Sequence, residues 1–276
     1  MLDVARALND VCGEAPRLGI GNSLWGHGML KHARLLKLKW AIAVAPPYSV
    51  DPEFVPANSR LGRTIARNGM KDVASSRIDE FGPPSPTRCW TIFDPLDPVE
   101  KTQAQLVAAV GGVTMLPAHH MGHQVGSLFS DELVLGGLFD AIRADDPAKA
   151  ARLLRNHKKD RLHYFVAMAK NCLRRGHVRW AREFLSRAEK AGYTSKSKAF
   201  DEMMGMHLQV GDTDRVEALL QRALRRKLDR PRPYVYGARL RVDQGRLDEA
   251  KRLCEQGLER CPGSSDLKAL VRRLTD

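Results

Sequence analysis

Three glycines, Gly176, Gly211 and Gly245, recur at intervals of 35 and 34 residues, and each sits in a similar frame. Five residues after each glycine stands a compact side chain, Ala181, Val216 or Ala250. Twelve residues after it stands another small one, Ala188, Ala223 or Gly257. A bulky ring precedes each glycine by eleven residues: Phe165, Phe200 and Tyr234. This spacing predicts helical hairpins, with glycine in the turn and small residues where paired helices approach closely. No strand pattern remains from Phe139 onward. Asp145-Asp146-Pro147 and Ala150 open a helix that looks like half of a preceding unit, and Pro262 follows the last hairpin. The period confines the second half of the chain to an all-α array.

The first half obeys a different rule. Four short apolar, partly β-branched runs recur at Leu18–Gly21, Trp40–Ala45, Cys89–Phe93 and Val113–Leu116. Between them lie stretches with helical spacing: Leu24–Leu38, Ser59–Val73, Val99–Val110 and Val125–Ile142. An amphipathic helix over Leu2–Val11 leads in, and the prolines of Pro83–Pro86 mark a loop. Strands alternating with helices predict βα units and a parallel sheet covered by helices. The expected fold class is therefore α/β plus all-α, with domains at 1–138 and 139–276. A chain of 276 residues accommodates two domains of ordinary size.

Charge divides the chain at the same place. Residues 1–138 hold 13 Lys+Arg against 13 Asp+Glu, so the whole formal charge of +13 falls on residues 139–276. That asymmetry points the second half toward an acidic partner or gives it a basic, well-solvated helical surface. With 43% hydrophobic and 28% charged residues the chain reads as globular. No apolar run approaches the roughly 20 residues of a membrane span, and the first residues lack a secretory pattern. Five cysteines without a C-x-x-C pair read as reduced thiols, so the expected location is cytoplasmic.

Gly21-Asn22-Ser23-Leu24-Trp25-Gly26 follows the first apolar run directly. Further on come Asp94-Pro95-Leu96-Asp97-Pro98 and Gly122-His123, each just after an expected strand. In these motifs, residues 1–142 resemble the C-terminal half of an α/β-hydrolase domain, in which a serine is exposed on a sharp strand-to-helix turn and its partners follow in the order Ser, Asp, His. The resemblance implies Ser23 as nucleophile, His123 as its base, Asp97 (or Asp94) as the carboxylate orienting the imidazole, and the Leu24 N–H as one oxyanion donor. It implies no cofactor and no metal.

Each residue also has a plain structural reading. Ser23 is a good N-cap for the following helix, and aspartate before proline is ordinary turn chemistry. His119, His120 and His123 are spaced poorly for a metal. Trp25 stands where a tight turn wants a small residue, so an indole there is expected to clash or widen the turn. The strand that would supply a second oxyanion donor is missing from the resemblance, and the first strand is expected to lack a neighbour on one edge. A second copy of the chain or the repeat half would cover it.

The 34-residue period resembles the tetratricopeptide repeat. That resemblance implies about three hairpins stacked as an α-solenoid over residues 139–276, whose curved surface binds a protein or peptide. Gly237 and His207 depart from its usual pattern. Basic residues cluster at Arg174-Arg175, Arg222, Arg225-Arg226-Lys227, Arg230, Arg232, Arg239, Arg241 and Arg272-Arg273, which would favour an acidic peptide. Nothing in the second half has the aromatic-interleaved basic pattern of a nucleic-acid site. Two functions are expected: a serine hydrolase-like protein with a repeat that recruits partners, or a non-catalytic interaction protein whose first half is a platform.

Overall fold

The structure, a computed structural model, describes residues 2–57, 59–67, 77–78, 87–192 and 198–275. The helix expected over Ser59–Val73 is seen as far as Arg67, and its remainder and the loop Pro83–Pro86 lie outside the described residues. The chain divides into two compact units, Met1–Lys159 and Asp160–Asp276.

In the first unit four parallel strands form one sheet in the order β1-β2-β3-β4: β1 Arg17–Asn22, β2 Leu38–Val44, β3 Arg88–Phe93 and β4 Val113–Pro117. Parallel strands need crossover connections, and helices supply them. The helices are α1 Leu2–Cys12, α2 Leu24–Lys31, α3 Arg60–Arg67, α4 Pro98–Ala109, α5 Glu132–Ala144 and α6 Pro147–His157. Ala41, Ile42, Ala43 and Val44 of β2 are all fully buried, as in a strand covered on both faces. Ala41 and Ala43 pack with Ala5 of α1, Leu30 of α2 and Val107 of α4. β1 lies at the edge of the sheet, and among the described residues no strand pairs with its outer side.

Two helical segments are shorter than their apolar spacing suggests. Leu24–Leu38 is helical only to Lys31, and Leu38 already begins β2. Val125–Ile142 breaks into a 3₁₀ segment, Gly122–Ser130, and then α5. Asp131 makes that break by turning its carboxylate to the Leu133 N–H as the N-cap of α5.

The second unit is helical: α7 Leu162–Arg174, α8 Val178–Lys190, α9 Lys198–Gln209, α10 Thr213–Arg225, α11 Pro231–Asp243, α12 Leu247–Arg260 and α13 Ser265–Thr275. The three periodic glycines end α7, α9 and α11 with φ of +73°, +71° and +73°. At each, the next N–H reaches back to the third-last carbonyl: His177 to Cys172 at 2.9 Å, Asp212 to His207 at 2.9 Å, and Arg246 to Arg241 at 2.8 Å. Glycine closes these helices because a left-handed residue must sit there.

Ala181, Val216, Ala250, Ala188 and Ala223 are fully buried at the helix contacts. A β-carbon on Gly257 would fall 2.8 Å from the Tyr234 side chain. Each hydrophobic cluster joins one hairpin to the helix after it. The first takes residues from α7, α8 and α9. The second takes them from α9, α10 and α11, and the third from α11, α12 and α13. Phe165, Phe200 and Tyr234 each pack in their own cluster.

Candidate functional site

Ser23 occupies the turn between β1 and α2 with φ +57° and ψ −124°. A residue with a β-carbon reaches that conformation at a cost of about 1–3 kcal/mol, so its surroundings must impose it. They do so through close backbone contact. A β-carbon on Gly21 would lie 2.4 Å from the Trp25 carbonyl carbon, and one on Gly26 would lie 2.8 Å from the Gly21 oxygen and 3.2 Å from the Val44 nitrogen. The Ser23 N–H continues the sheet by donating to Val44 O at 2.7 Å, and Ser23 O accepts the first helical bond from His27 at 3.0 Å.

Trp25 does not clash or widen this turn. Its side chain stands in solvent, 78% exposed, because the tight approach falls on Gly21 and Gly26. Ser23 does not act as a side-chain cap either. Its half-buried hydroxyl makes no hydrogen bond among the described residues, to His123 or to any other group. Leu24 opens α2, where backbone N–H groups have no intrahelical acceptor.

The aspartates after β3 hold the neighbouring loops. Asp94 is buried, and its two carboxylate oxygens accept from Leu96 N at 2.9 Å and from Gly122 N at 2.7 Å. It therefore ties the loop after β3 to the residue preceding His123. Asp97 is the N-cap of α4, accepting from Val99 N at 3.0 Å and Glu100 N at 3.2 Å, with Pro98 favourably placed in the first turn.

The carboxylate on His123 belongs instead to Glu100. Glu100 Oε1 lies 2.5 Å from His123 Nδ1, and both side chains are largely buried. Asp97 spends one carboxylate oxygen, Oδ1, on the α4 backbone and makes no contact with His123 among the described residues. The residues after His123 pack toward the serine turn. A β-carbon on Gly126 would fall 2.8–2.9 Å from the side chain of Asn22, the neighbour of Ser23. His27, one turn into α2, places Nδ1 2.9 Å from Pro47 O, and burial foremost holds its pKa below the ordinary 6.5.

His119, His120 and His123 do not converge. His119 is exposed, and its carbonyl accepts from Lys158 Nζ at 2.9 Å. Among the described residues no group of three or more His, Cys, Asp or Glu is placed to hold a metal ion. The described cysteines are free thiols, and burial pushes Cys89 up to about 12. No helix among the described residues is long and apolar enough to cross a membrane.

In the second unit several arginines named from the sequence are occupied within the fold. Arg241 is buried and bonds Glu217 at 2.7 Å and Glu249 at 3.2 Å. Arg230 lies 3.3 Å from Asp201, whose own pKa burial raises. His207, 4% exposed, sits between Glu189 at 3.2 Å and Asp212 at 3.0 Å, so its departure from the repeat pattern joins α8, α9 and α10. Gly237 departs for a packing reason, since a β-carbon there would meet Leu220 of α10 at 2.7 Å. Arg174, Arg175, Arg225, Arg232 and Arg239 remain exposed.

Comparison with known proteins bears on the second unit. Residues 207–274 match the family model of the tetratricopeptide repeat, a repeat that generally mediates protein–protein interaction. No curated protein and no solved structure matches the chain. The segment from the last turn of α9 through α13 is thus similar to tetratricopeptide repeats.

Proposed function

We propose that the protein is a serine hydrolase of the α/β-hydrolase type, joined to a solenoid-like repeat that recruits its protein partner. The observation that carries this reading is the strained backbone of Ser23, φ +57° and ψ −124°, at a strand-to-helix turn. Strain of this kind persists where a side chain must be presented, and a plain N-cap does not need it.

The chemistry would follow from the neighbouring groups. Glu100 on Nδ1 would keep the His123 proton there and leave the Nε2 lone pair to take the proton of Ser23 Oγ. The serine oxygen would then attack an ester, thioester or amide carbonyl, and the Leu24 N–H would stabilise the oxyanion. Asp94 would set the height of His123 through Gly122, and Asp97 would aim Glu100 by capping α4.

The test is hydrolysis of short-chain p-nitrophenyl esters by the whole chain. The expected result is turnover that falls by at least ~10⁴-fold in Ser23→Ala. Folded protein with no activity above that variant contradicts the reading. One observation favours a rival, a non-catalytic platform carrying the repeat: the Ser23 hydroxyl makes no hydrogen bond among the described residues. The same ester assay separates the two.

A further inference from the structure

Position four after the turn glycine carries a different burden in each hairpin. In the second hairpin it is Arg215, whose guanidinium pairs with Glu189 of the preceding hairpin. In the third it is Glu249, which pairs with Arg241 and Arg246. In the first it is Trp180, which is 60% exposed and takes part in no ring or cation contact among the described residues. An indole is an expensive side chain to leave in water, and the repeat architecture does not require one there.

Trp180 lines an open cavity of about 660 Å³ together with Arg179, Arg182, Glu183 and Arg187 of the same helix. The opposite stripe of α8, Ala181, Leu185 and Ala188, is fully buried, so the cavity lies along the outward face. Among the described residues three guanidinium groups face one carboxylate there. That carboxylate is spoken for, since Arg187 Nε donates to Glu183 at 2.9 Å. Arg182 donates to the carbonyl of Val210 and is held in place. Arg179 has no ion pair among the described residues. The surface is therefore an aromatic platform rimmed by uncompensated positive charge. It belongs to a unit in which residues 160–276 hold 26 Lys+Arg against 16 Asp+Glu.

We propose that this face of α8 binds an acidic peptide segment that carries one aromatic or large apolar anchor. The anchor stacks on Trp180, and flanking carboxylates meet Arg179 and Arg182, which have no carboxylate partner among the described residues. Trp and Arg are the residues that most often dominate such contacts, and complementary charge adds rate and selectivity. This deepens the reading of the repeat unit as an interaction module and does not depend on Ser23.

The experiment uses the full chain and a fluorescein-labelled peptide of seven Asp and Glu residues with a central Phe, read by fluorescence anisotropy. The expected result is binding that weakens about tenfold in Trp180→Ala and again in Arg179→Glu, with unfolding midpoints unchanged because both side chains are exposed. A matched peptide with Asn and Gln in place of the acids binds at least tenfold more weakly. The proposal is overturned if the acidic peptide binds no better than its neutral counterpart, or if Trp180→Ala leaves its affinity intact. Preferential capture of a single-stranded oligonucleotide over the peptide also overturns it. Ester hydrolysis in the same variants stays at the wild-type level, so a failure here is distinct from failure at Ser23.

Discussion

Glu100 Oε1 reaches His123 Nδ1 at 2.5 Å, joining the first turn of α4 to the 3₁₀ segment that follows β4. A buried carboxylate on one imidazole nitrogen fixes which nitrogen keeps the proton, and the other is left as a base. Glu100→Gln retains size and a hydrogen-bonding group but removes the charge. Hydrolysis should fall by roughly 10²–10⁴-fold, with little change in unfolding midpoint. Activity within about twofold of wild type would show that the pair is structural.

Asp97 separates capping from orientation. Asp97→Ala removes the acceptor for Val99 N and Glu100 N. The expected cost is about 1 kcal/mol of stability, read by urea unfolding. Its effect on turnover should be smaller than that of Glu100→Gln. The reverse order would make Asp97 the orienting acid.

The turn glycines of the second unit make a prediction about backbone alone. A β-carbon on Gly211 would meet nothing within 4 Å, yet the residue sits at φ +71°. Gly211→Ala should therefore cost about 1–2 kcal/mol through conformation only. Gly257→Ala should cost about 1–3 kcal/mol for the other reason, because its β-carbon falls 2.8 Å from Tyr234 and 2.9 Å from Leu267. Thermal unfolding of the two variants checks both, and a neutral Gly211→Ala would contradict the helix-end geometry.

Acidification should loosen the region around the serine turn through His27. Burial foremost, then the charges of Lys31 and His32, lower its pKa against the opposing backbone contacts of Pro47 and Tyr48. The unfolded chain therefore takes up a proton near pH 6.5 that the fold refuses until lower pH. Stability is full above that range and is lost as pH falls through it toward the folded value. Urea unfolding at about pH 7.5 and about pH 5.5 should show a larger loss in wild type than in His27→Gln. Equal losses would mean that His27 is not the group responsible.

Much of the scaffold could be read from the residues because local rules and tertiary packing agree. The apolar runs mark β1 to β4 to within a residue or two, and the glycine period marks three helix ends by a requirement that only backbone freedom meets well. Where the reading missed, a long-range contact competed with a local pattern. Asp97-Pro98-Val99-Glu100 has the spacing of a helix cap in which the later acid turns back to the start of its own helix. Glu100 instead reaches a residue 23 positions away, which no spacing rule reveals. The indole of Trp25 fits because the turn closes on Gly26, one residue beyond the position where the sequence asks for a small side chain. Arg241 belongs to the basic clusters by sequence and to the buried ion pairs by structure, since Glu217 and Glu249 meet it only once α10, α11 and α12 have packed.

The most direct measurement is covalent labelling by a fluorophosphonate, followed by mass spectrometry of the modified peptide. A serine activated by His123 should react within minutes and carry the adduct on Ser23, and labelling should vanish in Ser23→Ala and His123→Ala. Folded wild-type protein that stays unlabelled, or an adduct on any other residue, would contradict the assignment of Ser23 as a nucleophile.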